Sequence, residues 1–441
     1  MATTEQEPRT FEVYKENLRD LWAEWEIDVH QDPYAIPLDD FMCSHPYLFR
    51  ENTIMPYFER LRKEDPVHFN EESPFGPYWD ITKYRDIVEI EKDFKTFSSE
   101  MKHGGIQLGG IKYDTPDPTF SLPMFIAMDP PKHDEQRKIV QPRFTQRALQ
   151  ELENDIRRRA QTILDGLPRN ETFNWVEHVS RELTGQMLAQ LFDVPQEDRF
   201  KLLDWSDTIQ NASNIEFFDT IEDAFKVLWE CHAYFAEVWQ EKLKQKEPGN
   251  DLISMLAFGE ATKDMPPNEY LGNVLLLIVG GNDTTRNSIS GGVLALNQFP
   301  DEYSKLKQNR DVIPDMVCEM IRFQTPVAHM ARTALKDTEV RDKTIREGDR
   351  VALWYISGNR DEEVIPNADE FIIDRDNVRS HLSFGFGIHR CMGNRLGEMQ
   401  LRVLWEEIEN RFDRIELDGD PVYLQSCFIH GIRELPVRIA A

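Results

Sequence analysis

The sequence predicts a mainly α protein with a small β portion, folded as a single domain over residues 1–441. Three observations lead there. Apolar residues recur at helical spacing along most of the chain, and strand-like stretches are few and short. No Pro/Gly/Ser-rich linker, internal repeat or low-complexity block divides the chain. With 441 residues, 40% hydrophobic and 11% aromatic, it can bury a large core and a sizeable cofactor.

Amphipathic helices are predicted near 8–28, 51–64, 146–166, 174–192, 217–246, 267–299, 312–323 and 393–412. Strands are predicted at Val67–Asn70 and Tyr78–Ile81, then at Thr333–Val340, Arg350–Tyr355 and Val437–Ile439. From Gly104 to Pro131 glycines and turn residues follow no period, which predicts a long loop of the kind that binds ligands.

A net charge of −28, from 51 basic and 79 acidic residues, argues against nucleic acid or an anionic membrane as partner. The longest strongly apolar run, around Val274–Val279, is too short to span a bilayer. The first residues carry neither a basic start nor an apolar stretch, so no signal peptide or membrane anchor is expected. Five scattered cysteines, an odd number, predict a reducing, cytoplasmic setting in which a special cysteine serves chemistry.

That cysteine is Cys391, in Phe384-Gly385-Phe386-Gly387-Ile388-His389-Arg390-Cys391-Met392-Gly393. Glycines on both sides let the backbone bend tightly around the sulfur, and an amphipathic helix starts just beyond. A helix N-terminus favours thiolate over thiol, and a thiolate can ligate iron. A buried structural cysteine, or half of a zinc site with His389, are the alternatives. Zinc needs further Cys or His ligands at short spacing, and none are near.

Three more motifs accompany it. In Gly280-Gly281-Asn282-Asp283-Thr284-Thr285, two glycines and a hydroxyl predict a local opening of the longest helix, with Asp283 and Thr284 as an acid–alcohol pair for proton delivery. In Glu319-Met320-Ile321-Arg322, the i,i+3 pair shares a helix face and can form a salt bridge. In Asp129-Pro130-Pro131-Lys132-His133, followed by Arg137, the histidine and arginine lie one helical turn apart.

Together these resemble the cytochrome P-450 superfamily over essentially the whole chain, most densely from Asp129 to Gly431. The resemblance implies a haem-thiolate monooxygenase with haem b held by Cys391 and dioxygen as co-substrate. It implies that His133, Arg137, Arg332, His381 and His389 meet the haem, the first four at its propionates, with Phe384 and Gly280 also against it. It implies that Arg375 joins Glu319 and Arg322 beneath the cysteine loop. Peroxide-driven relatives generally lack the acid–alcohol pair, so oxygen use is expected.

No reductase sequence accompanies the motifs, so NAD(P)H electrons are expected through a separate ferredoxin and its reductase. Basic residues cluster locally in 129–147 and 379–402, and Lys138, Arg143, Arg390 and Arg395 are expected to form a docking patch for that partner.

Several stretches resemble bacterial terminal (omega) hydroxylases of alkanes and fatty acids: Phe125 to Asp134, Leu276 to Ser290, Gln324-Thr325-Pro326 and Ser357 to Asp361. The chain departs from them at His329-Met330-Ala331-Arg332, beside the expected pocket. That pocket is expected to be apolar, from Leu276, Val279, Val327, Ala328, Phe125, Phe428 and Ile429, with Ile106 and Leu108 from the early loop. A monooxygenase of terpenoids or sterol side chains would share every haem motif. A haem-thiolate sensor or electron carrier would not need Asp283 and Thr284.

Overall fold

The computed structural model describes residues 25–108, 122–211, 218 and 220–440. The helix predicted near 8–28 lies almost wholly outside them, as does the middle of the predicted loop. Helices dominate, and the 32-residue helix Pro267–Gln298 runs through their centre with most of its residues buried. Pro267 in its first turn is preset for helical φ, and the helix ends at Gln298, just before Phe299-Pro300. Around it pack Glu182–Phe192, Arg199–Asn211, Ile313–Gln324 and Asn394–Arg411.

The helix Gln146–Asp165 shows why periodicity was informative. Leu149, Leu152, Ile156, Ala160, Ile163 and Leu164 fall on one face and are buried. That face packs on Asn394–Arg411, and Arg157 ties the two by donating to Glu406 and Glu407.

A five-stranded sheet flanks the helical body, in spatial order Val67–Asn70, Tyr78–Ile81, Arg350–Leu353, Met330–Ala334, Phe97–Ser98. Tyr78–Ile81 and Arg350–Leu353 run parallel and the other neighbours antiparallel. The first two strands have the predicted bounds. The predicted Thr333–Val340 is two strands. Met330–Ala334 stays in this sheet, while Thr338–Val340 turns out to form a hairpin with Lys343–Ile345 around Arg341, whose φ is 57°.

Two helix predictions need correction. The segment 174–192 begins as strand Thr172–Asn174, paired with Pro436–Arg438, then passes through the π-helical turn Val176–Arg181 before Glu182–Phe192 becomes regular. The helix predicted from 51 starts at Met55, because Asn52 takes a left-handed φ of 54° and Pro56 sits in the first turn. Among the described residues, seven further α-helices were not predicted: Pro46–Arg50, Tyr84–Lys92, Lys132–Val140, Arg199–Asn211, Leu252–Phe258, Pro300–Gln308 and Tyr355–Gly358.

Candidate active site

The cysteine loop is shaped by glycines that no other residue can replace cheaply. Gly385 and Gly387 have φ of 63° and 64°. A Cβ on Gly387 would lie 2.3 Å from the backbone oxygen of Glu91. The loop closes when the Cys391 N–H donates to the Phe384 carbonyl at 2.8 Å, and Gly393 then caps Asn394–Arg411. Cys391 is exposed. The protein mass around it raises the pKa of its thiol above the ordinary value. The N–H groups of Gly393 and Asn394 and the guanidiniums of Arg137 and Arg390 pull the other way. The helix N-terminus thus acts as expected but does not by itself outweigh desolvation.

Beneath the loop, Glu319 and Arg322 are both fully buried and meet at 2.7 Å. Arg375 donates from Nε to both oxygens of Glu319 at 3.1 and 3.2 Å. Arg322 also donates to the carbonyls of Asn359, Ala368 and Glu370. The three side chains meet, and they tie three chain segments together.

The expected propionate partners divide. His389 experiences the charges of Arg332, His133 and Arg137, which places these four together. The rings of His133 and His389 meet edge to face at 4.4 Å. Neither ring nitrogen of His389, nor Nε2 of His133, has a hydrogen-bond partner among the described residues. Buried polar atoms without partners are rare, and these suit two carboxylates well. On the long helix, a Cβ on Gly280 would meet nothing within 4 Å. The donor set and the open glycine fit a haem.

His381 is a correction. Its ring lies tilted against Phe384 with centroids 5.3 Å apart, accepts the Ser383 N–H, and lies in the fields of Arg322, Glu319, Arg390 and Arg379. It belongs to the buried support. Burial, reinforced by Arg322, pushes its pKa down to about 3. Phe384, half-buried, supplies the carbonyl that closes the loop.

Leu276, Leu277, Val279, Gly280, Gly281 and Thr284 form a stripe of exposure on the long helix, and every other residue from Glu269 to Leu296 is buried. The expected opening is absent: the helix runs unbroken through Gly280–Thr285, and the Thr284 hydroxyl donates to the Gly280 carbonyl at 3.1 Å. The acid–alcohol pair also diverges. Asp283 is fully buried, accepting from Ser206 at 2.5 Å and from Asn282 at 3.1 Å and pairing with Arg286 at 2.5 Å. Arg286 in turn pairs with Asp207, which also holds Arg181. Burial raises the Asp283 pKa, and Asp207 adds to this while Arg286 opposes it.

Backbone bonds link some of the expected pocket residues. Val327 and Ile429 form an antiparallel bridge, and the Ala328 N–H donates to the Phe428 carbonyl at 2.8 Å. The Ala331 N–H reaches the Ile106 carbonyl at 2.7 Å. Phe125 is buried, its N–H held by Asn273 of the long helix at 2.9 Å.

Of the expected docking patch, Lys138, Arg390 and Arg395 are exposed. Arg143 is buried and leaves the patch, because the 3-10 turn Gln141–Phe144 carries its side chain inward. Nearby Arg379 and Arg402 are engaged by Glu398, and by Glu153 and Glu406, respectively.

Sequence reasoning missed Glu91. Its carboxylate accepts from Arg332 at 2.9 Å, from the Tyr355 hydroxyl and from the Phe386 N–H at 2.5 Å, so it anchors the cysteine loop and occupies Arg332. No local signal marks it, since its partners lie 241 to 295 residues away.

Comparison with known proteins agrees with this geometry. Residues 117–423 match the family model for Cytochrome P450. A linalool 8-monooxygenase of Pseudomonas putida is 35% identical, over 89% of this chain and 97% of that protein. A steroid C26-monooxygenase of Rhodococcus jostii is 31% identical, over 90% and 84%. Two solved structures are more alike. Cytochrome P450-153 from Novosphingobium aromaticivorans is 43% identical with a TM-score of 0.85, covering 90% of this chain and 98% of that one. CYP153D17 from Sphingomonas sp. PAMC 26605 is 45% identical with a TM-score of 0.87, covering 92% and 100%. Sulfur loop, buried triad, orphaned histidines and these matches converge: the chain belongs to the cytochrome P450 family and is a haem-dependent monooxygenase.

Proposed function

We propose that this monooxygenase hydroxylates the terminal carbon of medium-chain alkanes or fatty acids, using haem b and NAD(P)H electrons delivered through a ferredoxin and its reductase. The observation that carries the reading is the uncharged lining: Val327 and Ala328 are joined by backbone bonds to Ile429 and Phe428, and Leu276 and Val279 are only partly buried on the long helix. Terminal C–H bonds are stronger than internal ones, so selectivity for a chain end must come from positioning by such walls. The likeness of the stretches around Asp129, Gly280 and Asn359 to terminal hydroxylases supports the same class.

Bound haem supplies the activation of dioxygen and the oxidation of the C–H bond. Cys391 would hold it through Sγ, while His133, His389, Arg137 and, shared with Glu91, Arg332 would hold its propionate edge. Leu276 and Val279 exclude water beside Gly280. The Thr284 hydroxyl presents a proton donor on the exposed stripe, and Asp283 one residue back holds a proton more firmly than an ordinary carboxyl. Thr284→Ala is expected to divert reducing equivalents to hydrogen peroxide, by about tenfold or more in peroxide formed per NADH. Product yield still matching NADH use would remove Thr284 from proton delivery.

Lys138, Arg390 and Arg395 form the ferredoxin patch in this reading, a positive island on a chain of net charge −28. Reversing Lys138 and Arg395 to glutamate should slow reduction at low salt and much less at high salt. Equal rates at all salt concentrations would discard the patch. All five cysteines are free and four are buried, which supports a reducing, cytoplasmic setting.

A second reading, oxidation of terpenoids or sterol side chains, is favoured by the names of the two relatives at 35% and 31% identity. Reconstitution with a surrogate ferredoxin system and a mixture of n-octane, dodecanoic acid and linalool decides between them. Terminal alcohols of the straight chains support the first reading, and oxidised linalool alone supports the second.

A further inference from the structure

His329 sits where the chain departs from the terminal hydroxylases, and it is fully buried. Its Nε2 receives the Leu108 N–H at 3.2 Å, and its Nδ1 lies 2.8 Å from the Cys427 carbonyl. An amide N–H only donates and a carbonyl only accepts, so the proton must be on Nδ1 and Nε2 must be bare. Both bonds therefore require one neutral tautomer. The ring packs 4.7 Å from Trp354 and 5.6 Å, edge-on, from Phe428. Burial pushes its pKa down to about 4 against the Cys427 bond, which agrees with a ring that stays neutral.

The two backbone partners belong to two different flanks of the expected pocket. Leu108 lies two residues beyond Ile106, and Cys427 precedes Phe428 and Ile429. The remaining bonds to the first flank come from the same strand and its neighbour. Ala331 holds the Ile106 carbonyl, and Arg350 donates to the carbonyls of Gly105 at 3.0 Å and Gln107 at 2.7 Å. The imidazole is thus a rigid spacer between the 106–108 segment and the 427–429 turn.

We propose that His329 is a positioning residue for specificity, setting the separation of these two walls and so the chain that fits between them. This rests on the reading of those walls as substrate lining. A histidine that only filled core would need neither bond to a pocket segment. Here each ring nitrogen is used on one.

The test uses the holoenzyme and 1-alkylimidazoles of four to twelve carbons, whose binding at the iron is read from the haem absorption band without turnover. Three variants are compared with the parent: His329→Phe keeps an aromatic ring and loses both bonds, His329→Gln can offer a carbonyl near the Nε2 position for Leu108, and His329→Asn can offer an N–H near the Nδ1 position for Cys427. In His329→Phe the ratio of dissociation constants for the longest and shortest probes should move about three- to tenfold, the worth of one hydrogen bond. His329→Gln should restore more of the parental ratio than His329→Phe does. A parental ratio in all variants, with or without a fall in melting temperature, overturns the proposal and leaves His329 as core. Should His329→Phe fail to fold, parental ratios in both His329→Gln and His329→Asn do the same. A parent whose affinities ignore chain length sinks the wall reading itself, which is a different failure.

Discussion

Changing Cys391 to serine is expected to abolish monooxygenase activity and to remove the strongly red-shifted absorption that a reduced, sulfur-ligated haem shows with carbon monoxide. A serine hydroxyl is a far weaker acid than a thiol, so it offers no anionic ligand near neutral pH and no electron push onto iron. The fold is expected to ignore the change. The loop is closed by the backbone N–H of residue 391 on the Phe384 carbonyl, by Glu91 on the Phe386 N–H, and by the left-handed Gly385 and Gly387. None of these involves the sulfur. The apoprotein's thermal midpoint should therefore match the parent while the spectrum and turnover are lost. A serine variant that kept the red-shifted band would contradict Cys391 as the iron's ligand.

The parts of this site that could be read from sequence are the local ones. Glycines flanking Cys391 must bend, and Glu319 and Arg322 at i,i+3 must share a face. Both follow from backbone geometry within a few residues. Arg375 was reachable only through resemblance, because 53 residues separate Arg322 from it. The Asp283–Thr284 pair shows what a motif leaves open. Neighbours on an α-helix point about 100° apart, so the two could not share one face. Which of them turned to the exposed stripe depended on Ser206 and Asp207 in another helix. His381 and Arg143 misled for the same reason, since a charge or imidazole in a motif does not disclose its neighbours. Some short helices escaped because packing rather than periodicity makes them. Lys132–Val140, for example, has only His133, Gln136 and Val140 buried.

Replacing Glu319 with glutamine should produce the largest loss of stability of any single change considered for this chain. The carboxylate receives the Arg322 guanidinium twice, at 2.7 and 2.8 Å, the Ile372 N–H at 2.9 Å and Arg375 Nε at 3.1 Å. An amide keeps one acceptor oxygen, loses the negative charge, and turns a donor toward guanidiniums that have nothing to accept it. Arg322 is then a fully buried cation without its counter-ion, and it already lowers the pKa of Arg360 nearby. Breaking a buried pair in this way costs about 3–5 kcal/mol, against a total stability of about 5–15 kcal/mol. Urea unfolding should show that loss, and the yield of haem-loaded protein should fall with it. The pH dependence has a definite sign. Burial alone would raise the Glu319 pKa, but the bond and charge of Arg322, with the Ile372 N–H and Arg375, hold it below its ordinary 4.5. Its contribution is complete above that ordinary value and fades as pH falls through the lower folded one. Between pH 7 and 5 the parent and Glu319→Gln should therefore keep a constant gap, which narrows only in stronger acid. A gap of less than about 1 kcal/mol at pH 7, within the range of exposed ion pairs, would show that the triad does not support the cysteine loop.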